Sequence, residues 1–296
     1  MSDGPTFRDR LEYAGFRAVT ALVRLLPEAW AARLGSALGA LAGRVLKIRR
    51  DVVDENLARA FPEMPERERN TLAVASYRHL GREAVATFRT ARESPEEIRR
   101  RTEVRGLKEL ERAVAEGRGG IIVTGHIGNW EVGGSSVAVR GLPVDGVAFR
   151  QRNRLFDREL VRSRERLGMR IIRVGSATRE VVRSVREERV PALVADQNMR
   201  RGGVFVDFFG VPAATARGPA VFSLRTGAPL FFGVALRVKG AGGRWTPARW
   251  EVHIEEVDFE PTGELDEDVR RLTAAHTAAL ERWVRKAPEQ YFWVHK

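Results

Sequence analysis

His126 and Glu131 stand five positions apart in Thr124-Gly125-His126-Ile127-Gly128-Asn129-Trp130-Glu131. An imidazole, with an unperturbed pKa near ~6.5, is the side chain best suited to take and return a proton at neutral pH. A carboxylate beside it fixes which ring nitrogen carries the hydrogen, leaves the other free as a base and stabilises the imidazolium that forms. Base catalysis of this kind is worth roughly 10²–10⁴ in rate. The spacing allows the pair if His126 precedes a helix and Glu131 lies in its first turns. A histidine capping a helix, with Glu131 as a plain first-turn acid, accounts for the same spacing.

Other chemistries are excluded by inspection. The chain lacks a Gly-x-Ser-x-Gly elbow, a Gly-x-x-x-x-Gly-Lys-Ser/Thr phosphate loop and a Gly-x-Gly-x-x-Gly after its first strand. The five histidines are scattered, with no His-Glu-x-x-His pair for zinc, so no metal site is expected. Zero cysteines exclude disulfides, thiolate metal sites and a thiol nucleophile.

The elements that must position His126 read as an α/β pattern. Gly119–Thr124 is a short β-branched run of the kind found in buried strands. Similar runs recur at Val144–Phe149, Arg170–Val174, Pro191–Ala195, Val204–Phe209, Pro229–Val238 and Trp250–Val257. Helical segments separate them, notably Leu155–Leu167 and Thr178–Glu188. The expectation is one α/β domain with a mixed central sheet flanked by helices. Its second half should be more antiparallel, with a hairpin turn at Gly240–Gly243. Upstream, Ser94 should cap a helix that opens with Pro95, and a helix from Pro65 should run to about Arg89.

The first fifty residues are expected to be amphipathic membrane-associating helices, with the catalytic domain over 51–296. Acidic and basic residues (Asp3, Arg8, Asp9, Arg10, Glu12) stand where a signal peptide would turn apolar. From Phe7 to Ile48 the longest uncharged stretch, Leu34–Gly43, is ten residues, against roughly 20 for a membrane span. Phe16, Val19, Leu22 and Leu26, then Trp30, Leu34, Leu38, Leu41 and Val45 after Pro27, instead mark apolar faces edged by arginine. The net charge of +12, carried by 51 basic residues, favours anionic lipid, an acidic carrier protein or nucleic acid.

The longer pattern resembles the bacterial lipid A biosynthesis acyltransferases, within the glycerolipid acyltransferases that share a His-x4-Asp/Glu signature. Besides Gly125–Glu131, the resemblance includes Phe149-Arg150, Arg164 with Gly168, Ala195-Asp196-Gln197, Gly203–Gly210 with Ala214-Thr215, and Pro288–His295. Asn56-Leu57 and Phe61-Pro62 fit upstream, so almost the whole chain is covered. The resemblance implies direct transfer of a fatty acyl chain from an acyl-carrier-protein or coenzyme A thioester to a hydroxyl of a membrane lipid, with no cofactor. It makes His126 the general base and Glu131 its orienter, and places Arg150, Arg164 and Asp196 at substrate. Phe205, Phe208 and Phe209 would wall an acyl groove, while Asn129 and Trp130 shape the loop. A lipid A precursor is the expected acceptor; a phosphatidylinositol mannoside or lysophospholipid is the alternative. The expected location is the cytoplasmic face of the bacterial inner membrane, peripheral or monotopic.

Two rivals remain open at this point. A thioesterase or phospholipase would use His126 to activate water. A nucleic-acid-binding protein would account for the charge, but the arginines alternate with acids and no recognition motif accompanies them, so no nucleic-acid partner is expected.

Overall fold

In a computed structural model, which describes residues 5–199, 202–240 and 247–295, the N-terminal region is helical. Thr6 and Asp9 form a reciprocal capping box that starts α1 (Phe7–Leu25), and Pro27 separates it from α2 (Glu28–Arg44). Three further helices follow: α3 (Arg50–Ala60), α4 (Glu66–Thr90) and α5 (Pro95–Arg101). The last has the expected Ser94 cap and Pro95 at its first position. Helices α2 and α4 lie against each other at backbone distance. A β-carbon on Gly35 would press on the Gly81 carbonyl, and one on Gly39 would strike the Tyr77 carbonyl oxygen. Glycine on both helices is what permits that approach.

The sheet begins with β1 (Thr102–Arg105) and α6 (Leu107–Ala115), then β2 (Ile121–Thr124), α7 (Trp130–Ala138), β3 (Val144–Ala148) and α8 (Arg154–Arg166). It continues through β4 (Arg170–Arg173), α9 (Ala177–Arg186) and β5 (Val190–Val194). A separate hairpin, β6 (Val204–Phe208) with β7 (Val211–Thr215), precedes α10 (Gly218–Thr226). Strands β8 (Leu230–Arg237) and β9 (Trp250–Glu256) and the long α11 (Leu265–Lys286) complete the fold. Strand order is β1-β9-β8-β2-β5-β3-β4. Five strands run parallel, while β9 is antiparallel to β8 and β1 is parallel to β9.

Side chains along the central strands feed two hydrophobic layers by simple alternation. Ile121 and Val123 of β2, with Leu230, Phe232 and Val234 of β8, face one core. Ile122, Phe231 and Ala235 face the other. Both faces are covered, so β2 is apolar up to its last residue, as a central parallel strand must be.

The mixed α/β expectation therefore holds, with two differences in detail. Among the described residues Val204–Phe208 does not join the main sheet but pairs only with β7, a strand broken in pattern by Pro212. The polar edge strand Thr102–Arg105 carries no buried run that would announce it. The expected turn at Gly240–Gly243 falls largely outside the described residues. Among the described residues no helix is long and apolar enough to cross a membrane.

Candidate active site

Strands β2 and β5 are hydrogen-bonded neighbours in parallel register, with Thr124 opposite Val194. The Ala195 amide donates to the Thr124 carbonyl at 2.9 Å, so both chains leave the sheet at the same level. His126 and Asp196, 70 residues apart in sequence, thereby meet in the crevice beyond the carboxyl ends of the strands. His126 Nδ1 lies 2.6 Å from Asp196 Oδ1, and the His126 backbone N–H donates to Asp196 Oδ2 at 2.7 Å. One carboxylate thus fixes both the ring and the backbone that carries it. With Nδ1–H donated to Asp196, Nε2 keeps its lone pair, and the Gln197 side-chain amide stands 3.4 Å from it.

Aromatic groups close around the ring. Trp130 meets it edge-on at 4.7 Å between centroids, and Phe292 lies at 5.7 Å. Tyr291 lines the same cavity wall as Phe292, and burial with the nearby negative Asp196 carboxylate holds its phenol well above the ordinary value.

The loop between β2 and α7 is pinned on every side. Gly128 adopts φ 59°, and a β-carbon there would strike the Ala235 carbonyl oxygen. Its N–H donates to the Gln290 carbonyl at 2.9 Å, and the Asn129 N–H donates to the Ala235 carbonyl at 2.8 Å. The Phe292 N–H in turn donates to the His126 carbonyl at 2.9 Å. The closing segment after α11 is thus part of the site, although nothing in the residue types of Pro288–His295 assigns it a role.

Glu131 occupies the first turn of α7, as the spacing required, but the side chain bonded to His126 is Asp196. Glu131 receives Arg164 of α8 instead, from Nε at 3.0 Å and Nη2 at 2.5 Å. The physical reason is the turn at Gly128 and Asn129, after which Glu131 falls on the α7 face that meets α8. Burial opposes the charge of Arg164, but the Glu131 carboxylate more than offsets it and raises the guanidinium's pKa. Arg150 is exposed just beyond β3 and lines neither of the two cavities that His126 borders.

Those cavities meet at His126. One, of about 250 Å³, runs under α4 between Leu80, Ala84, Phe88, Trp130, Phe156 and Leu160, with Glu131 in its wall. The other, of about 560 Å³, has Asn56, Arg59, Thr124, Asp196 and Gln197 on one side and Phe205, Phe208 and Phe209 on the other. Among the described residues no group of three His, Asp or Glu side chains is placed to hold a metal ion.

The family model for bacterial lipid A biosynthesis acyltransferases matches residues 8–296. The chain belongs to that family. It is similar to the lipid A biosynthesis palmitoleoyltransferase of Escherichia coli, 29% identical over 269 residues, which is 89% of this chain and 83% of the relative. The Escherichia coli lauroyltransferase is 28% identical over 277 residues, covering 93% of this chain and 87% of its own. The phosphatidylinositol mannoside acyltransferase of Mycolicibacterium smegmatis is 30% identical over 227 residues, 73% and 72% of the two chains. This lipid A-type acyltransferase has a closely bonded polar pair, His126 with Asp196, at the junction of two cavities.

Proposed function

We propose that this acyltransferase moves a fatty acyl chain from an acyl-carrier-protein or coenzyme A thioester directly to a hydroxyl of a lipid A-type acceptor, with His126 as general base. The observation that carries the reading is a histidine whose Nδ1 is held by Asp196 while Nε2 opens where two cavities join. Nε2 takes the proton of the acceptor hydroxyl as its oxygen bonds to the thioester carbonyl carbon. The carbon–sulfur bond breaks as the tetrahedral intermediate collapses, and the imidazolium returns its proton to the departing thiolate. No acyl-enzyme is required, in keeping with a chain that has neither cysteine nor a serine elbow.

The apolar cavity under α4 suits the acyl chain, and the wider, more polar one suits the polar substrate groups. Glu131, in the wall of the first and held by Arg164 behind it, orders that wall rather than the imidazole. Nucleophilic water would give hydrolysis instead, but two converging cavities suit two substrates. The outer faces of α1 and α2 expose Phe7, Leu11, Leu22 and Leu25, then Trp30 and Leu38, and this supports adsorption to a membrane surface. Thioester donors of this class are made in the cytoplasm, so the proposed location is the cytoplasmic face of the inner membrane.

The test is acyl transfer from radiolabelled acyl-carrier protein, and from acyl-coenzyme A, to a tetra-acylated lipid A precursor, a phosphatidylinositol mannoside and a lysophospholipid. Labelling of the lipid A precursor above the others, absent in His126→Ala, is expected. Labelling of the mannoside alone would move the acceptor assignment. Thioester cleavage independent of any acceptor would replace transfer by hydrolysis.

A further inference from the structure

We infer that Glu83, in the C-terminal half of α4, is a positioning residue for acyl transfer: its carboxylate sets the orientation of the Asn129 amide and through it the loop that presents His126. The inference rests on the reading of His126 as the base. Glu83 is 5% exposed and is met by three elements. Its Oε2 accepts from Asn129 Nδ2 at 2.8 Å and from Trp250 Nε1 at 3.0 Å, and its Oε1 accepts from Arg237 Nε. Burial works against its charge, but the Arg237 guanidinium more than compensates and keeps its pKa below the ordinary value. Glu83 is therefore an obligate acceptor.

That property decides which way Asn129 points. Asn129 is itself buried, with its amide nitrogen on Glu83 and Thr87 and its oxygen accepting from the Val132 N–H, the cap of α7. Rotated by half a turn, the amide would set its oxygen against a carboxylate and its NH2 against a backbone donor. Aspartate would cap α7 equally well but would face Glu83 with a second negative charge. Only an amide, read from one side by an obligate acceptor, satisfies both ends. The cap then fixes where α7 starts, and with it Trp130 against the His126 ring and Glu131 against Arg164. Stability alone does not explain a buried charged pair, because well-packed apolar replacements serve as well or better. Orientation of a polar loop does.

The test is a polarity swap. Asn129→Asp, Glu83→Gln and the double variant are compared with the wild type for kcat, KM and thermal melting, with His126→Ala as control. Asn129→Asp should lower kcat about 100-fold and change KM for the thioester less than about 3-fold, within the span attributable to a misplaced base. In the double variant, compared with Asn129→Asp in a Trp250→Phe background so that no indole N–H meets the new NH2, the amide introduced at position 83 donates to the carboxylate introduced at position 129. That carboxylate still caps Val132, and about 10-fold of the lost kcat should return. A double variant no better than Asn129→Asp, with His126→Ala inactive, overturns the positioning role. Wild-type rates in His126→Ala would overturn the reading of the base instead. Should Asn129→Asp fail to fold, Glu83→Gln decides: unchanged kcat overturns the inference, and a loss of about 10-fold or more in a protein that still melts cooperatively supports it.

Discussion

Arg164 and Glu131 are partly withdrawn from water, with 17% and 23% of their side chains exposed, and each satisfies the other in two hydrogen bonds. Removing one partner strands a charge, at a cost of about 3 kcal/mol or more in such a setting, whereas removing both leaves none stranded. Arg164→Met should therefore lower the melting temperature more than the double variant Arg164→Met/Glu131→Gln, as paired thermal melts will show. At this scale the sequence was only half legible. His126 stood out because it follows the buried run Gly119–Thr124 and precedes Glu131 by five positions. Its bonded partner did not, because Asp196 reaches it through the pairing of β2 with β5, a relation that spacing along the chain does not contain. Glu131 had the right type and distance in sequence, but the turn at Gly128 directs it to Arg164. Glu83 and Tyr291 were silent for the same reason: each acts through contacts between elements far apart in the chain.

Elements were more readable than residues wherever their pattern was strong. The buried β2 and β8, the Ser94 cap and the break at Pro27 all follow from local composition. The hairpin β6–β7 and the edge strand β1 do not, since the first is set apart by tertiary placement and the second has a polar sequence. The α2–α4 contact was hidden as well, because glycines inside a helix read as weak helix formers until a second helix comes against them. That contact makes its own prediction. Gly39→Val places a side chain on the Tyr77 carbonyl, so the helices must part, and overpacking of this kind costs about 1–3 kcal/mol. A fall of several degrees in melting temperature is expected, and Gly15→Ala, whose β-carbon would meet nothing within 4 Å, should be neutral or slightly stabilising.

For the molecule as a whole, two buried histidines set the response to acid. Burial lowers His79 and His276 to about 4 from 6.5, with Glu83 partly opposing the shift at His79. Between those values the unfolded chain binds protons that the folded chain refuses. Stability is thus full above about pH 6.5 and falls as pH drops toward 4, by up to about 3 kcal/mol for each histidine. Melting temperatures should fall across that window, and His276→Gln should flatten the fall. The exposed apolar faces of α1 and α2 belong to the same scale, because they lie outside the packed cores. Leu22→Glu with Leu38→Glu should weaken co-sedimentation with anionic phospholipid vesicles by about 10-fold or more while leaving the fold intact. Undiminished binding would place the membrane contact elsewhere.

The central claim is that Asp196 holds His126 as the base of acyl transfer, and it is tested most directly by the rate of transfer in Asp196→Asn. The amide keeps the size of the carboxylate but removes the charge that orients and stabilises the imidazolium. The account predicts that kcat falls by roughly 10²–10⁴, close to the loss in His126→Ala, with the fold and thioester KM retained. Wild-type turnover in Asp196→Asn, alongside an inactive His126→Ala, would contradict it.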